Sequence, residues 1–173
     1  MTEDIIDLVT GRLLPYHDDE YIRQAAEKLL LEERGWPRGR VGVEYRRTLT
    51  VCCEPFEGRA DLVLMREGAP ALVMRTTRGS LVSREKETVA TARLIHDPIV
   101  PLSLVFNGED AELLDSKTGK VIATGLEAVP GPERLAELVA GIPPHHPSQD
   151  EIEKAAKVYS AFAFIQCPGV CRV

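Results

Sequence analysis

A chain of 173 residues, 44% apolar and 28% charged, has the length and composition of one globular domain that buries its own core, which excludes a disordered chain. The longest apolar run, residues 99–106, is too short to cross a bilayer, and residues 1–11 are too acidic for a secretory leader, so a cytoplasmic protein without membrane contact is expected. The net charge of −6 speaks against nucleic acid until it is divided. Residues 34–93 hold 12 Lys and Arg against 7 Asp and Glu, a local +5, and the rest of the chain carries −11. The basic middle is either a phosphate-attracting face or a solvated mixed-charge surface.

In chain order, residues 2–14 read as a short helix capped by Thr2 and stopped by Pro15. Residues 18–34 read as a second helix, with apolar pairs at Tyr21/Ile22, Ala25/Ala26 and Leu29/Leu30 forming one buried stripe until Gly35 and Pro37 end it. Residues 41–53 alternate and are rich in β-branched side chains, the signature of a strand. Gly58 punctuates, residues 60–65 form a second strand, Glu67-Gly68 a turn, and residues 70–76 a third, together an antiparallel meander. Ser83 caps a helix that runs to about residue 96.

The apolar run 99–106 reads as a central strand covered on both faces. Residues 111–115 and 120–123 flank Lys117-Thr118-Gly119 as a hairpin, and residues 132–141 read as helical. A Pro/His-rich linker at 142–148 leads to a closing helix over 149–165, and His145-His146 lacks a third ligand for a metal. The expected architecture is α/β in a single domain, 1–173: a mixed sheet flanked by helices, with extra helices at both ends.

Cys52 and Cys53, adjacent on a strand, would face opposite sides of the sheet, and Cys167 and Cys171 flank a Pro-Gly turn. They read as reduced thiols, with a zinc or redox pair at Cys167/Cys171 as the alternative. Asp61 stands out, because it heads the otherwise apolar strand Ala60-Asp61-Leu62-Val63-Leu64. Burying an unpaired carboxylate is costly, so Asp61 needs an ion pair with Arg59, Arg75 or Arg78, or a metal at the strand end.

The segments Tyr21-Ile22-Arg23-Gln24, Glu33-Arg34-Gly35-Trp36-Pro37, Arg59-Ala60-Asp61, Pro70 to Met74 and Phe106-Asn107-Gly108 resemble, in order and spacing, the N-terminal domain of type I restriction enzyme R subunits. The likeness spans residues 18–124 and implies a restriction-endonuclease-like core of the PD-(D/E)XK kind. In that family an Asp on one strand and a Glu on the next hold Mg²⁺, which activates water on a phosphodiester, and a Lys two residues after the Glu faces the same way. The implied partners are DNA and restriction-modification subunits.

The likeness breaks at the chemistry. Arg75 stands where the Glu belongs and Thr77 where the Lys belongs. A guanidinium about 4 Å from a cation opposes it by about 4 kcal/mol per unit of charge at an effective dielectric of 20. The resemblance therefore implies a non-catalytic relative that uses no cofactor, with Arg59, Arg75, Arg78, Ser80, Ser83 and Arg84 as a phosphate-binding patch. Two alternatives stand beside it. One is a Mg²⁺-dependent nuclease rebuilt around Asp61 and Glu44, with Glu33, Glu85 and Glu87 as other carboxylates and Lys86 as the substitute cation. The other is a partner-binding domain in which Arg75 closes a salt bridge on Asp61. Glu85, Lys86 and Glu87 also fit a plain solvated first helical turn.

Overall fold

The computed structural model describes residues 4–166. Its centre is a six-stranded mixed sheet whose strands lie in chain order: β3 (Val41–Val51), β4 (Glu54–Arg66), β5 (Ala69–Thr76), β6 (Leu102–Phe106), β7 (Ala111–Asp115) and β8 (Val121–Thr124). All neighbours are antiparallel except β5 and β6, which run parallel because helix α2 (Glu85–Leu94) crosses between them. The meander, the covered central strand and the β7–β8 hairpin are as expected from sequence. The mixed α/β architecture with helices on both sheet faces is that of a restriction-endonuclease-like core.

Two cores hold the layers. On one face, Leu62, Leu64, Leu72, Met74, Leu102 and Leu104 pack against Ala26, Leu29 and Leu30 of α1 (Asp18–Lys28) and its continuation, and Leu135 of α3 (Pro132–Ala140). On the other, Val63 and Val73 meet Ala92 and Ile95 of the α2 region. Ala90 and Leu94 of α2 carry α4 (Gln149–Gln166) through Ala155 and Ala156. Strand β6 is buried at all five positions, which its continuous apolar sequence required.

Several expectations need correction. Residues 4–15 are not helical: β1 (Asp4–Ile6) pairs antiparallel with β2 (Leu13–Pro15), and the expected cap Thr2 lies outside the described residues. The cause is local. Asp7 Oδ1 accepts from the backbone N–H and hydroxyl of Thr10 at 2.6 and 2.7 Å, and Gly11 takes φ +71°, so the chain reverses instead of winding. Ile6 and Leu13 face solvent.

The next helix is α-helical only to Lys28 and continues as one π turn over Leu29–Glu33. That turn aims Arg34 and Trp36 at the segment before α3, where Arg34 Nε reaches the Val129 carbonyl at 2.9 Å and Trp36 Nε1 the Pro130 carbonyl at 2.8 Å. His17 caps the start of α1, its Nδ1 accepting from the Glu20 N–H.

Gly58 lies inside β4 opposite Arg47 and does not interrupt it. Cys52 and Cys53 are not strand residues on opposite faces. They form the two-residue turn between β3 and β4, both exposed, with φ of +50° and +68°. Cys167 and Cys171 lie outside the described residues. Ser83 does not cap α2, for its hydroxyl donates to the Ser80 carbonyl and a short 3₁₀ turn precedes the helix. The 142–148 segment is tied to the body, with His146 Nδ1 on Asp97 at 2.7 Å and the His145 carbonyl on the Ile99 N–H at 2.9 Å. Among the described residues no helix is long and apolar enough to cross a membrane.

Candidate functional site

The sheet register builds the site. Leu62 pairs with Met74 and Val63 with Val73, so one step further Asp61 on β4 lies across from Arg75 on β5, both on the face that α2 covers. Arg75 Nη1 is 3.2 Å from Asp61 Oδ1, and the other Asp61 oxygen accepts from the Thr76 N–H at 2.9 Å and its hydroxyl at 3.2 Å. Arg75 does not stop at Asp61. Its Nη2 is 3.0 Å from Glu87 Oε1, and Glu87 Oε2 accepts from Arg84 Nη1 at 3.1 Å.

Glu87 is thus no part of a solvated helical turn. Its side chain is 2% exposed, because α2 lies across the sheet and its third residue points inward. Two carboxylates and two guanidiniums close on each other with no net charge. Arg75 Nε remains buried without an acceptor.

Asp61, Arg75 and Arg84 of this cluster line a cleft of about 790 Å³, with Glu87 buried behind them. One wall is α1, contributing Glu20 and Arg23. The rim is made by Arg59, Arg78, Ser83 and Arg84, and Thr77 and Gly79 line the turn after β5. Helix α4 supplies an edge that sequence reading missed. Tyr159 lines the cleft, its ring meets Phe56 edge-to-face at 5.6 Å, and the Phe162 ring lies 6.0 Å from the Arg84 guanidinium. The i, i+3 spacing of these two aromatics on one helix face was the available signal.

Of the residues singled out from sequence, Arg59, Asp61, Arg75, Thr77, Arg78, Ser83 and Arg84 line one cleft. Glu44 does not join them. It sits on β3 between Val43 and Tyr45, which pair with Leu62 and Ala60, but its φ of +51° turns it aside, and its carboxylate binds Arg59 Nη2 at 2.7 Å in solvent. Ser80 contributes only a carbonyl, to Ser83.

The basic middle is also spoken for. Nine of its twelve cations are engaged: Arg34, Arg47 and Arg93 with backbone carbonyls, and Arg46, Arg59, Arg66, Arg75, Arg78 and Arg84 with carboxylates. Arg78, at the rim, is held by Asp18 at 2.6 Å and Asp19 at 2.9 Å from the start of α1.

Behind the α1 wall lies a second polar cluster. Glu20, Arg23, Gln24 and Glu27 are all buried on α1 together with Asp7 from the N-terminal turn. Arg23 Nη2 binds Glu20 at 2.6 Å and Asp7 at 3.2 Å. Gln24 and Glu27 accept from the Leu8 and Val9 N–H groups, fastening the β1–β2 turn to α1. Burial, and then the charge of Asp7, push the Glu27 carboxyl up to about 7. Burial acts the same way on Asp7, but hydrogen bonds from Thr10 and the charge of Arg23 outweigh it and hold that carboxyl below its usual range.

Mg²⁺, which the resemblance implies, does not fit the donor set. Arg75 occupies the space beside Asp61, and among the described residues no three His, Cys, Asp or Glu side chains converge as a metal would require. The chain matches no curated protein and no solved structure. The family described as type I restriction enzyme R protein N terminus matches it over residues 18–130.

Proposed function

We propose that this chain, which belongs to the type I restriction enzyme R protein N-terminus family, is a non-hydrolytic nuclease-fold domain that holds the nucleic-acid backbone at the rim of its cleft. The observation that carries this reading is the position of Arg75, whose guanidinium lies between Asp61 and Glu87 where the PD-(D/E)XK chemistry places a metal. Without an ion at that point nothing neutralises charge developing on a phosphoryl oxygen or activates water.

The rim supports binding on energetic grounds. The Arg59–Glu44 and Arg78–Asp pairs are about half exposed, and such pairs contribute only about 0–1 kcal/mol, so a phosphate can replace the carboxylate at little cost. Arg75, 12% exposed and clamped on two sides, cannot be exchanged in that way. Arg59 and Arg78 are therefore the phosphate contacts, and Asp61, Arg75 and the Arg84–Glu87 pair are the plug.

Two exchangeable contacts imply weak binding, with a Kd on the order of 10⁻⁴ to 10⁻⁶ M and a slope of log K against log salt near −2. Fluorescence anisotropy of a labelled duplex across a salt series measures both, and Arg59→Ala with Arg78→Ala flattens the slope by about 2. The same duplex with Mg²⁺ or Mn²⁺ stays uncut. Metal-dependent cleavage lost in Asp61→Ala refutes the non-hydrolytic reading, and absence of duplex binding at low salt refutes the rim and leaves a domain that binds a protein partner.

A further inference from the structure

We infer that a second pocket, toward the other end of β5 from the cleft, binds a small organic acid, with an apolar body seated among prolines and one anionic group turned to Lys117.

The pocket encloses about 440 Å³, within the roughly 300–1,000 Å³ that small-molecule sites span. Its room comes from two small residues, Ala69 and Ala71, and its apolar walls from Ile99, Val139 and Ile142. Pro70 and Ala71 lie near the start of β5 and Arg75 near its end, about 15 Å along the strand. The pocket shares no lining residue with the cleft, so it does not depend on what the cleft binds.

The walls are pre-formed. Five of the chain's twelve prolines, Pro70, Pro98, Pro101, Pro143 and Pro144, line the pocket, and each fixes its own φ. The loops that bear the lining are tied down. The Ile99 N–H donates to the His145 carbonyl at 2.9 Å, and Arg93 holds the carbonyls of Ser116 and Lys117 at 2.9 and 2.8 Å. A rigid apolar site takes a ligand without a large ordering cost.

The charge at its mouth is unbalanced. Arg66 is paired with Glu67 at 2.8 Å, whereas Lys117 is exposed and has no carboxylate partner among the described residues. One positive charge therefore stands beside an apolar cavity and complements a single negative one. His96 and His145 also line the pocket. The Pro98 carbonyl can only accept, so His96 Nδ1 donates to it at 2.9 Å, and His145 Nε2 donates to the Glu151 carboxylate at 2.9 Å. Each ring keeps its other nitrogen for a polar group of the ligand.

The probe is anilinonaphthalene sulfonate, a monoanion on two aromatic groups whose fluorescence rises in apolar surroundings, and N-phenylnaphthylamine is its uncharged counterpart. The wild type binds one equivalent of the sulfonate with a Kd on the order of 10⁻⁵ M, as its size leads one to expect. Lys117→Ala weakens that binding about fivefold and leaves the neutral probe within about twofold. Ala69→Phe, which fills the cavity, abolishes both. Amide shift mapping of the wild type by NMR moves residues 66–71, 96–101 and 139–145 and leaves 75–79 in place, and it decides the matter if Ala69→Phe does not fold. Uptake that fails to saturate, maps to the cleft, survives in a folded Ala69→Phe, or falls equally for both probes in Lys117→Ala overturns the inference. Sedimentation that shows a dimer excluding the probe identifies a second copy as the occupant and overturns it as well.

Discussion

Replacing Glu27 by glutamine stabilises this protein at pH 8 and has almost no effect at pH 4.5. Glu27 is fully buried, its Oε2 accepts from the Val9 N–H at 3.2 Å, and its Oε1 has no donor. Burial and the charge of Asp7 raise its pKa from 4.5 to about 7 in the folded state. Below pH 4.5 the folded and unfolded chains both carry the proton, and the residue imposes no penalty. Between 4.5 and 7 the unfolded chain ionises while the folded one does not, so stability falls as pH rises. A shift of roughly 2.5 units at 1.36 kcal/mol each sets a full penalty of about 3 kcal/mol above pH 7.

The Glu27→Gln substitution removes that dependence. The new carbonyl oxygen accepts from Val9, and the new amide donates to Asp7 as the protonated carboxyl does. Urea unfolding at half-unit steps from pH 4.5 to 8.5 reads the difference between the two proteins. It grows from near zero to about 3 kcal/mol, an order-of-magnitude figure. A difference that stays flat with pH, or a variant less stable than the wild type at pH 8, refutes the raised pKa of Glu27.

Two further substitutions test the site and the turn. Glu87→Ala strips one of two clamps from the buried Arg75 and destabilises by about 3 kcal/mol in denaturant titration, whereas Lys86→Ala, one residue away and exposed, changes stability by less than about 0.5 kcal/mol. Equal effects mean that Glu87 does not hold Arg75. Cys52→Asn with Cys53→Gly places at φ +50° and +68° the residues that such a two-residue turn favours, and stabilises by about 1 kcal/mol or more. A loss of stability shows that the thiols are engaged in something that the turn geometry does not reveal.

What could be read from sequence follows from periodicity. Strand alternation in β3, the unbroken apolar run of β6 and the glycines and prolines between elements have local causes, so the sheet and its order were legible. Asp61 was legible for a related reason, because a carboxylate in an apolar strand demands a partner. Glu87 was not, since a glutamate in the first turn of a helix looks the same whether it faces solvent or a buried arginine. The demand lay on the other side of the pair: Arg75, in a strand otherwise buried from Pro70 to Met74, needed more compensation than Asp61 alone supplies. The N-terminal hairpin was misread for want of weighing Asp7 and Gly11 as a turn. The spacing of Glu20, Arg23, Gln24 and Glu27, which repeats the i, i+3, i+4, i+7 pattern of a buried stripe with polar residues, was an equally readable sign of a polar interior.

That polar interior bears on function. Two clusters of buried charge, Asp61/Arg75/Glu87/Arg84 and Asp7/Glu20/Arg23/Glu27, meet at one cleft, and Glu20 and Arg23 line it beside Asp61 and Arg75. Buried ion pairs contribute little to stability, because desolvation offsets most of their attraction, and well-packed apolar residues in their place are commonly neutral or better. Glu27 goes further and opposes folding above pH 7. Folding alone therefore does not account for this concentration of charge at a single place. Both clusters leave a buried nitrogen unsatisfied, Arg75 Nε in one and Arg23 Nη1 in the other, so neither is a fully optimised structural lock. The self-neutralised floor repels no phosphate and attracts none. On the proposed reading, what enters the cleft is decided by Arg59 and Arg78 at its rim, whose carboxylate partners are the ones most easily given up.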